Sequence, residues 1–301
     1  AIQRKRRGHT AKVQSQGRPY RAVVVVLVSG GADSFNLLVP HTCNEHDLYT
    51  EYAQLRGGSN AIAKESLLEI NVSADSDPQP CTSFGLHPSL TFLHSTFEAG
   101  DAVAFSNVGG MVEPISQHDF YAKNKRQPLG NFGHRGMATA MQSLNADDKT
   151  AKGVLGRMAK AALNKSPPMK TALYSACGAQ KIVEGGPVPS FVQSRVGVVR
   201  YKQYDYMKDE MSALNANVSS SVFAEAYSEA LETSLQVTEE LGGQIENTTL
   251  ETDKSTFKSS VGLQLLEVAK LIAVDTQVNN MERAGFVVEQ RQYDAHSSFE
   301  D

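Results

Sequence analysis

The fold is decided by a stretch near the start of the chain, Arg21-Ala-Val-Val-Val-Val-Leu-Val28, which is followed at once by Ser29-Gly-Gly-Ala-Asp-Ser34. Residues 22–28 are apolar and mostly β-branched, with no alternation of apolar and polar positions, which is typical of a strand buried on both faces. We therefore predict a central strand in a mostly parallel α/β sheet with helices on both faces. A membrane span would need about 20 apolar residues, far more than this run contains.

Apolar periodicity predicts further helices and strands along the chain. A second buried strand is expected at residues 102–108, closing a strand–helices–strand unit whose crossover should be right-handed. Residues 1–20 form a basic, flexible arm in this interpretation, and residues 21–301 form a single α/β domain. Helices are predicted at residues 47–55, 61–68, 88–97, 136–144, 154–163, 222–241 and 257–281, and more strands at residues 170–176 and 284–288.

Composition places the chain among globular proteins, since 41% of its 301 residues are hydrophobic and 21% are charged. The formal net charge of −4 gives no general attraction for nucleic acid. Arg4-Lys5-Arg6-Arg7 concentrate positive charge in the arm, where a solvated tail is favoured over a phosphate-binding segment. The chain has three cysteines, Cys43, Cys81 and Cys177, and none of them forms a C-x-x-C motif, which argues against a zinc knuckle. One disulfide and one remaining thiol are possible, and the sequence does not say which two cysteines would pair.

The chain begins at Ala1, with no apolar signal-peptide core behind it. Asn-x-Ser/Thr glycosylation patterns begin at Asn71, Asn164, Asn217 and Asn247. From these features we expect an extracytoplasmic or secreted location, after removal of a targeting segment.

The loop Ser29–Ser34 leaves the first strand at its carboxyl end, where open α/β sheets bind ligands. Its two glycines let the backbone turn tightly beside an anion or metal, and Asp33 offers a hard oxygen ligand or a catalytic carboxylate. The alternative is a tight turn in which Asp33 and Ser34 cap the next segment. The string also matches the pyrophosphate loop of ATP pyrophosphatases, but that loop must open directly into a helix, and Pro40 interrupts the chain too soon.

Several motifs in the same order resemble the domain of unknown function 1501 family, which is grouped with the alkaline phosphatase and sulfatase superfamily. The clearest are Gly30-Gly-Ala-Asp-Ser-Phe-Asn-Leu-Leu-Val-Pro40, Gly85-Leu-His-Pro-Ser-Leu90 and Gly153-Val-Leu-Gly-Arg-Met158. Further similar stretches lie at residues 100–109, 113–115, 128–137, 264–272 and 286–296. The resemblance spans residues 21–301 and implies an alkaline phosphatase-like α/β fold.

The resemblance also implies a metal site. That superfamily uses two divalent metals about 4 Å apart to activate a Ser or Thr nucleophile against phosphate or sulfate esters. Carried onto this sequence, Asp33, Asp294 and His296 would be ligands for zinc, calcium or magnesium. His134 either joins them beside the metal position or merely packs there. No other cofactor is implied.

Two departures from the family pattern predict that catalysis has been lost. The nucleophile position falls on Gly133, which has no hydroxyl group. Ser116 is the one weak replacement, and its neighbours His118 and Asp119 make no triad by adjacency alone. The family's later Glu-Phe-Gly-Arg and Asp-His-Gly elements have no counterpart before Asp301. We therefore predict a domain that lacks the family's C-terminal part and has no catalytic residue.

The function predicted from the sequence is that of a structural or binding component. In this interpretation the chain is a non-catalytic alkaline phosphatase/sulfatase-like protein in a larger assembly, with protein partners or as a homo-oligomer, and without nucleic acid. Two alternatives remain open. The second hypothesis is a metal-dependent phosphate or sulfate ester hydrolase, and the third is an ATP pyrophosphatase-type enzyme that binds nucleotide through Ser29–Ser34. His41, which flanks Cys43 without a common zinc spacing, is expected to have a surface or core role.

Overall fold

A computed structural model describes residues 14–72, 79–106, 108–130, 133–187, 190–193, 197–198, 200–216, 219–291 and 293. The strands in these residues are β1 (Arg21–Val28), β2 (Leu38–Cys43), β3 (Leu68–Asn71), β4 (Cys81–Leu86), β5 (Thr171–Ser175), β6 (Ser190–Gln193), β7 (Gly197–Val198) and β8 (Arg283–Gln290). The helices are α1 (Leu48–Arg56), α2 (Thr91–Glu98), α3 (Gln117–Ala122), α4 (His134–Ser143), α5 (Val154–Leu163), α6 (Tyr204–Ala216), α7 (Val222–Glu246) and α8 (Ser260–Gln277).

The chain forms two compact units, where the sequence predicted one domain over residues 21–301. The larger unit comprises Ala1–Leu27 and Gly110–Gln290, and the smaller unit comprises Val28–Gly109 and Arg291–Asp301. In the described residues, every helix falls short of the length or apolar character that a membrane span requires.

The larger unit is built on a five-stranded sheet with the order β1-β8-β5-β6-β7. Strands β8, β5 and β6 are parallel, with Thr171 opposite Arg283 and Ser175 opposite Val287, and β7 is antiparallel to β6. Apolar side chains of β8 alternate between two cores: Phe286 and Val288 pack with α7 and α8, while Val287 packs with α5. The predicted α/β class, with helices on both faces of a sheet, is confirmed.

The predicted central position of β1 is wrong, because this strand lies at an edge of the sheet. Val24, Val26 and Val28 are 39%, 48% and 50% exposed, whereas Phe286 and Val287 of β8 are fully buried. Only the face of β1 that carries Val25 and Leu27 packs against a core. An uninterrupted apolar run therefore does not distinguish a strand covered on both faces from an edge strand covered on one.

Two further sequence predictions are wrong. The described part of residues 102–108 contains no strand, and Val103, Phe105 and Val108 are 71%, 80% and 66% exposed. The helix predicted at residues 61–68 is a 3-10 turn, Lys64–Ser66, that leads into β3. Both predictions rest on short apolar runs. Such a run can be a strand, a helix or neither, because contacts with distant parts of the chain decide its structure.

The smaller unit contains a three-stranded antiparallel sheet with the order β2-β4-β3, and α1 packs against β2. Val39, Tyr52 and Leu67 form its core. A disulfide joins Cys43 of β2 to Cys81 of β4, the residue directly opposite it in the register. This settles which two cysteines pair, a point that the sequence left open.

The last part of the predicted arm is anchored to the larger unit. The buried carboxylate of Glu282 accepts hydrogen bonds from the backbone N–H groups of Gln16 (3.0 Å), Arg18 (3.1 Å) and Lys170 (2.9 Å), and from the Arg18 guanidinium (3.3 Å). Four donors compensate for burying this charge. Residues 1–13, including the Arg4–Arg7 cluster, lie outside the described residues.

Candidate functional site

The glycine loop after β1 leads into a strand instead of an α-helix. Gly30 and Gly31 have φ angles of 104° and 93°, in the region that disfavours side chains, so glycine is needed at both positions. One 3-10 turn, Ser34–Asn36, follows, and β2 begins two residues later. A pyrophosphate loop needs the N–H groups at the start of a helix, and this loop does not supply them.

The carboxylate of Asp33 is engaged in local structure. Its Oδ1 accepts a hydrogen bond from the backbone N–H of Phe35 at 3.2 Å, so Asp33 caps the 3-10 turn. Its Oδ2 forms an ion pair with the guanidinium of Arg56, in the last turn of α1. Both side chains are about one third exposed, at 34% and 30%. The turn-capping alternative for this aspartate is therefore what the structure shows.

The loop and α1 are tied together around this ion pair. The hydroxyl of Tyr52 donates to Asn36 Oδ1 at 2.6 Å and accepts from the backbone N–H of Ile62 at 2.9 Å. Asn36 in turn donates to the carbonyl of Asn60 at 3.0 Å. Among the described residues, no group accepts a hydrogen bond from the buried Nε of Arg56, and Asp33 balances the charge of this partly desolvated cation. A divalent metal at Asp33 would have to compete with the Arg56 guanidinium for Oδ2 of this carboxylate.

The nucleophile position lies at the start of α4. Gly133 is the N-cap residue, and a Cβ atom added to it would lie 3.1 Å from the carbonyl oxygen of Gly130. The backbones of Gly130 and Gly136 also meet too closely for a side chain on either residue. A serine at position 133 would need the Gly130 carbonyl to shift by a few tenths of an ångström. His134 is the exposed first residue of the helix.

Ser116 is a helix cap. Its Oγ accepts the backbone N–H of Asp119 at 3.1 Å and donates to Asp119 Oδ2 at 2.7 Å, while the N–H of Ser116 donates to the same oxygen at 3.1 Å. This reciprocal pattern is a capping box at the start of α3. The hydrogen bonds from Ser116 lower the pKa of Asp119, so the carboxylate is a weak base. His118 makes no contact that completes a triad within the described residues.

The candidate site residues are distributed between the two units. Asp33 belongs to the smaller unit, whereas Ser116, Gly133 and His134 belong to the larger. Asp294 and His296 lie outside the described residues. Among the side chains that are described, no three of His, Cys, Asp and Glu converge in a group that could hold a metal ion.

Sequence reasoning missed a polar cluster across the three strands of the smaller unit. His41 Nδ1 lies 3.2 Å from Ser83 Oγ and 3.2 Å from Glu69 Oε1, and Ser83 Oγ donates to Glu69 at 2.5 Å. The residues come from β2, β4 and β3 respectively, so only the strand pairing brings them together. Ser83 is 1% exposed and both contacts use the same imidazole nitrogen, which is not the geometry of a nucleophilic triad. The cluster links the strands.

Comparison of the chain with protein-family models, with curated proteins and with solved structures gives no match.

Proposed function

We propose that this protein is a non-catalytic member of the alkaline phosphatase/sulfatase-like superfamily that acts as a structural or binding component of a larger assembly. The ordered motifs from Gly30 to His296 support the family assignment. The sheet with helices on both faces is compatible with it. An enzyme of that superfamily would need a metal-bound carboxylate and a hydroxyl nucleophile.

The ion pair between Asp33 and Arg56 is the observation that carries this proposal. Asp33 is the N-terminal metal ligand that the resemblance implies, and a guanidinium at its Oδ2 competes with any cation. To bind a metal, Asp33 would have to leave Arg56, whose Nε has no hydrogen-bond partner among the described residues. Gly133 adds to the argument, because the residue at the nucleophile position has no hydroxyl group.

An extracytoplasmic location is part of the same proposal. The disulfide between Cys43 and Cys81 supports an oxidising compartment, because such bonds rarely persist in a reducing cytosol. A component of an extracellular assembly gains durability from a covalent link between two strands.

The proposal is tested by measuring hydrolysis of 4-nitrophenyl phosphate and 4-nitrophenyl sulfate with zinc, magnesium or calcium added in turn. The variants are Asp33→Ala and the matched control Asp47→Ala, in which a second capping aspartate of the smaller unit is removed from the start of α1. We expect no metal-dependent turnover in the wild-type protein, and equal background rates in both variants.

Metal-dependent turnover that disappears in Asp33→Ala and persists in Asp47→Ala would establish the competing function, a metal-dependent ester hydrolase. The control matters because each variant loses a cap worth about 1 kcal/mol in the smaller unit. Asp33→Ala also leaves Arg56 without its ion-pair partner, so circular dichroism must first show that both variants are folded. A difference in rate between them would then report on the carboxylate of Asp33 itself.

A further inference from the structure

Basic side chains from three distant segments meet at one edge of the larger unit's sheet, the edge at which the parallel strands β5 and β8 begin. The buried carboxylate of Glu282 connects the segments, because it accepts hydrogen bonds from the backbone N–H groups of Arg18 at 3.1 Å and Lys170 at 2.9 Å. These two donors lie 264 and 112 positions away from Glu282 along the chain, so only the fold brings them together. The three segments are residues 14–21, 164–170 and 279–283.

The charge at this edge is positive, and little of it is neutralised. Glu282 is the single acidic residue in the three segments, and it already accepts four hydrogen bonds. Within the part of the chain that the structure describes, Arg18 alone among the basic residues here forms an ion pair. Lys170 and Arg283 donate to main-chain carbonyls, and the buried Asp275 offsets the charge of Lys170 in part. We call the following side chains the basic edge: Arg18, Arg21, Lys165, Lys170 and Arg283.

The N-terminal basic cluster Arg4–Arg7 is joined to the basic edge by a short length of chain. Arg7 precedes Gln16, whose backbone N–H donates to Glu282, by nine residues, which is at most about 32 Å of extended chain. Residues 1–21 contain seven basic residues and no acidic one, whereas the whole chain has a formal net charge of −4. Positive charge is therefore concentrated in this part of the molecule and is not a general property of the protein.

This separation of charge indicates a polyanionic partner. A cationic surface attracts a polymer of closely spaced anionic groups, and binding releases the polymer's counterions. The disulfide between Cys43 and Cys81 favours an oxidising, extracytoplasmic compartment. Anionic lipids are concentrated in the cytoplasmic leaflet of membranes, which disfavours a membrane surface as the partner. Sulfated polysaccharides are polyanions of the extracellular space, and clusters of lysine and arginine are suited to bind them.

We propose that the basic edge, together with the cluster Arg4–Arg7, is a docking surface for a sulfated polysaccharide. Sulfate groups along the polymer pair with successive side chains of the basic edge, and the cluster adds contacts to the same polymer. The choice of a sulfated polymer rests on the extracytoplasmic location in the proposed function. The docking surface is otherwise independent of that proposal, because Asp33 and Arg56 lie in the smaller unit.

The test measures binding of fluorescently labelled heparin oligosaccharides to the full-length protein by fluorescence anisotropy. The matched ligand control is the same oligosaccharide with its sulfate groups removed. Double-stranded DNA, and vesicles of equal parts phosphatidylcholine and phosphatidylserine, represent the other two classes of polyanion. Heparin should bind at least about tenfold more tightly than each of the three, and the logarithm of its affinity should fall linearly with the logarithm of salt concentration.

Two double variants remove the same number of charges at different places. Arg21→Gln with Lys165→Gln alters two exposed members of the basic edge, at the start of β1 and just after α5. Lys149→Gln with Lys202→Gln is the matched control, because both lysines are exposed and the length of α5 separates Lys149 from Lys165. The first pair should weaken heparin binding roughly tenfold, and the control pair less than about twofold. Thermal melts check that both variants are folded.

A further variant separates the N-terminal cluster from the folded edge. Arg4→Gln, Lys5→Gln, Arg6→Gln and Arg7→Gln together should weaken heparin binding and reduce its salt dependence. Four results would overturn the proposal: equal binding of the desulfated oligosaccharide, tighter binding of DNA or vesicles, equal losses in the two double variants, or a loss of binding confined to the fourfold variant.

Discussion

At the scale of single residues, Asp275 is a buried ionisable group in the larger unit whose pKa is raised. It is fully buried in α8, where Tyr174 donates to its Oδ1 at 2.6 Å and Tyr20 donates to its Oδ2 at 3.3 Å. Burial raises its pKa from 3.8 to about 6, although the two hydroxyl groups and the nearby Lys170 ammonium oppose the rise. Between pH 3.8 and about pH 6, the Asp275 carboxyl group is therefore protonated in the folded protein and ionised in the unfolded chain.

The sign of the pH dependence follows from this raised pKa. The stabilising contribution of the protonated Asp275 is complete below pH 3.8 and is lost as the pH rises through about 6. Asp275→Asn removes the ionisation, so the variant should gain about 3 kcal/mol over wild type at pH 8 and almost nothing at pH 4. Urea denaturation at the two pH values measures this. An equal difference at both pH values would contradict the burial account.

Residue-level sequence reasoning reached part of the candidate site. Capping by Asp33 is one of the three roles that the sequence allows for this segment, beside a metal-ligand or catalytic role and a pyrophosphate loop. The partner of this aspartate, Arg56, could not be anticipated, since it arrives from the far end of α1, 23 residues later. The same holds for His41 and Ser83, which only the pairing of β2 with β4 brings into contact. Their sequence separation carries no signal of that pairing.

At the scale of elements, α5 shows how a glycine pattern sets helix packing. The motif Gly153–Met158 begins this helix, and the 3-10 turn Lys181–Val183 passes directly over it. A Cβ atom on Gly153 would collide with the carbonyl oxygen of Lys181, and one on Gly156 with that of Glu184. The helix predicted at residues 154–163 is confirmed to the residue, because its glycine start and its apolar spacing are both local signals.

Gly156→Ala should lower the free energy of unfolding by about 1–3 kcal/mol, because the backbone at Glu184 must shift. The control is Gly243→Ala in α7, where no atom lies within 4 Å of the added Cβ. That change should leave stability equal or raise it by up to about 1 kcal/mol, since alanine favours a helix over glycine. Thermal melts of both variants make the comparison. Two losses of similar size would show that the close approach at Gly156 is not real.

The edge position of β1 predicts an asymmetry between neighbouring valines. Val25 packs against the core formed with α5, while Val26 is 48% exposed on the other face. Val25→Asp should cost about 1–3 kcal/mol, and Val26→Asp about 0.5 kcal/mol or less. Chemical denaturation of the two variants tests the assignment. If both fail to fold, β1 is buried on both faces after all.

Elements with strong local patterns were predictable, and those that depend on distant partners were not. Helices α5, α7 and α8 follow from apolar spacing and from the glycine or serine before each of them. Strands β5 and β8 follow from short apolar runs. Strands β2 and β4 escaped detection because Leu38–Cys43 contains Pro40 and β4 contains Gly85, both poor strand formers. The pairing of β2 with β4 and the disulfide between them stabilise these two strands where local propensity does not.

At the scale of the whole molecule, two units share one chain and only the smaller contains a disulfide. The bond between Cys43 and Cys81 closes a loop across 38 positions, which in the chain-entropy account stabilises by up to about 4 kcal/mol. Its effect should be confined to the smaller unit, because β2, α1, β3 and β4 all lie there.

Cys43→Ala with Cys81→Ala should therefore speed amide hydrogen exchange in β2 and β4 and leave β5 and β8 unchanged. Mass spectrometry of peptides from each unit provides the measurement. Cys177 lies in the larger unit, so Cys177→Ala is the matched control and should not alter exchange in β2. Equal acceleration in both units would mean that they unfold as one.

The central claim is that the Asp33 carboxylate pairs with Arg56 and does not bind a metal. Calorimetric titration of zinc, and then magnesium, into the full-length protein tests this most directly. The wild type and Asp33→Ala should give the same heats, because the guanidinium already occupies the carboxylate. A site in the wild type with a Kd below roughly 10 µM that is absent in Asp33→Ala and present in Asp47→Ala would contradict the account.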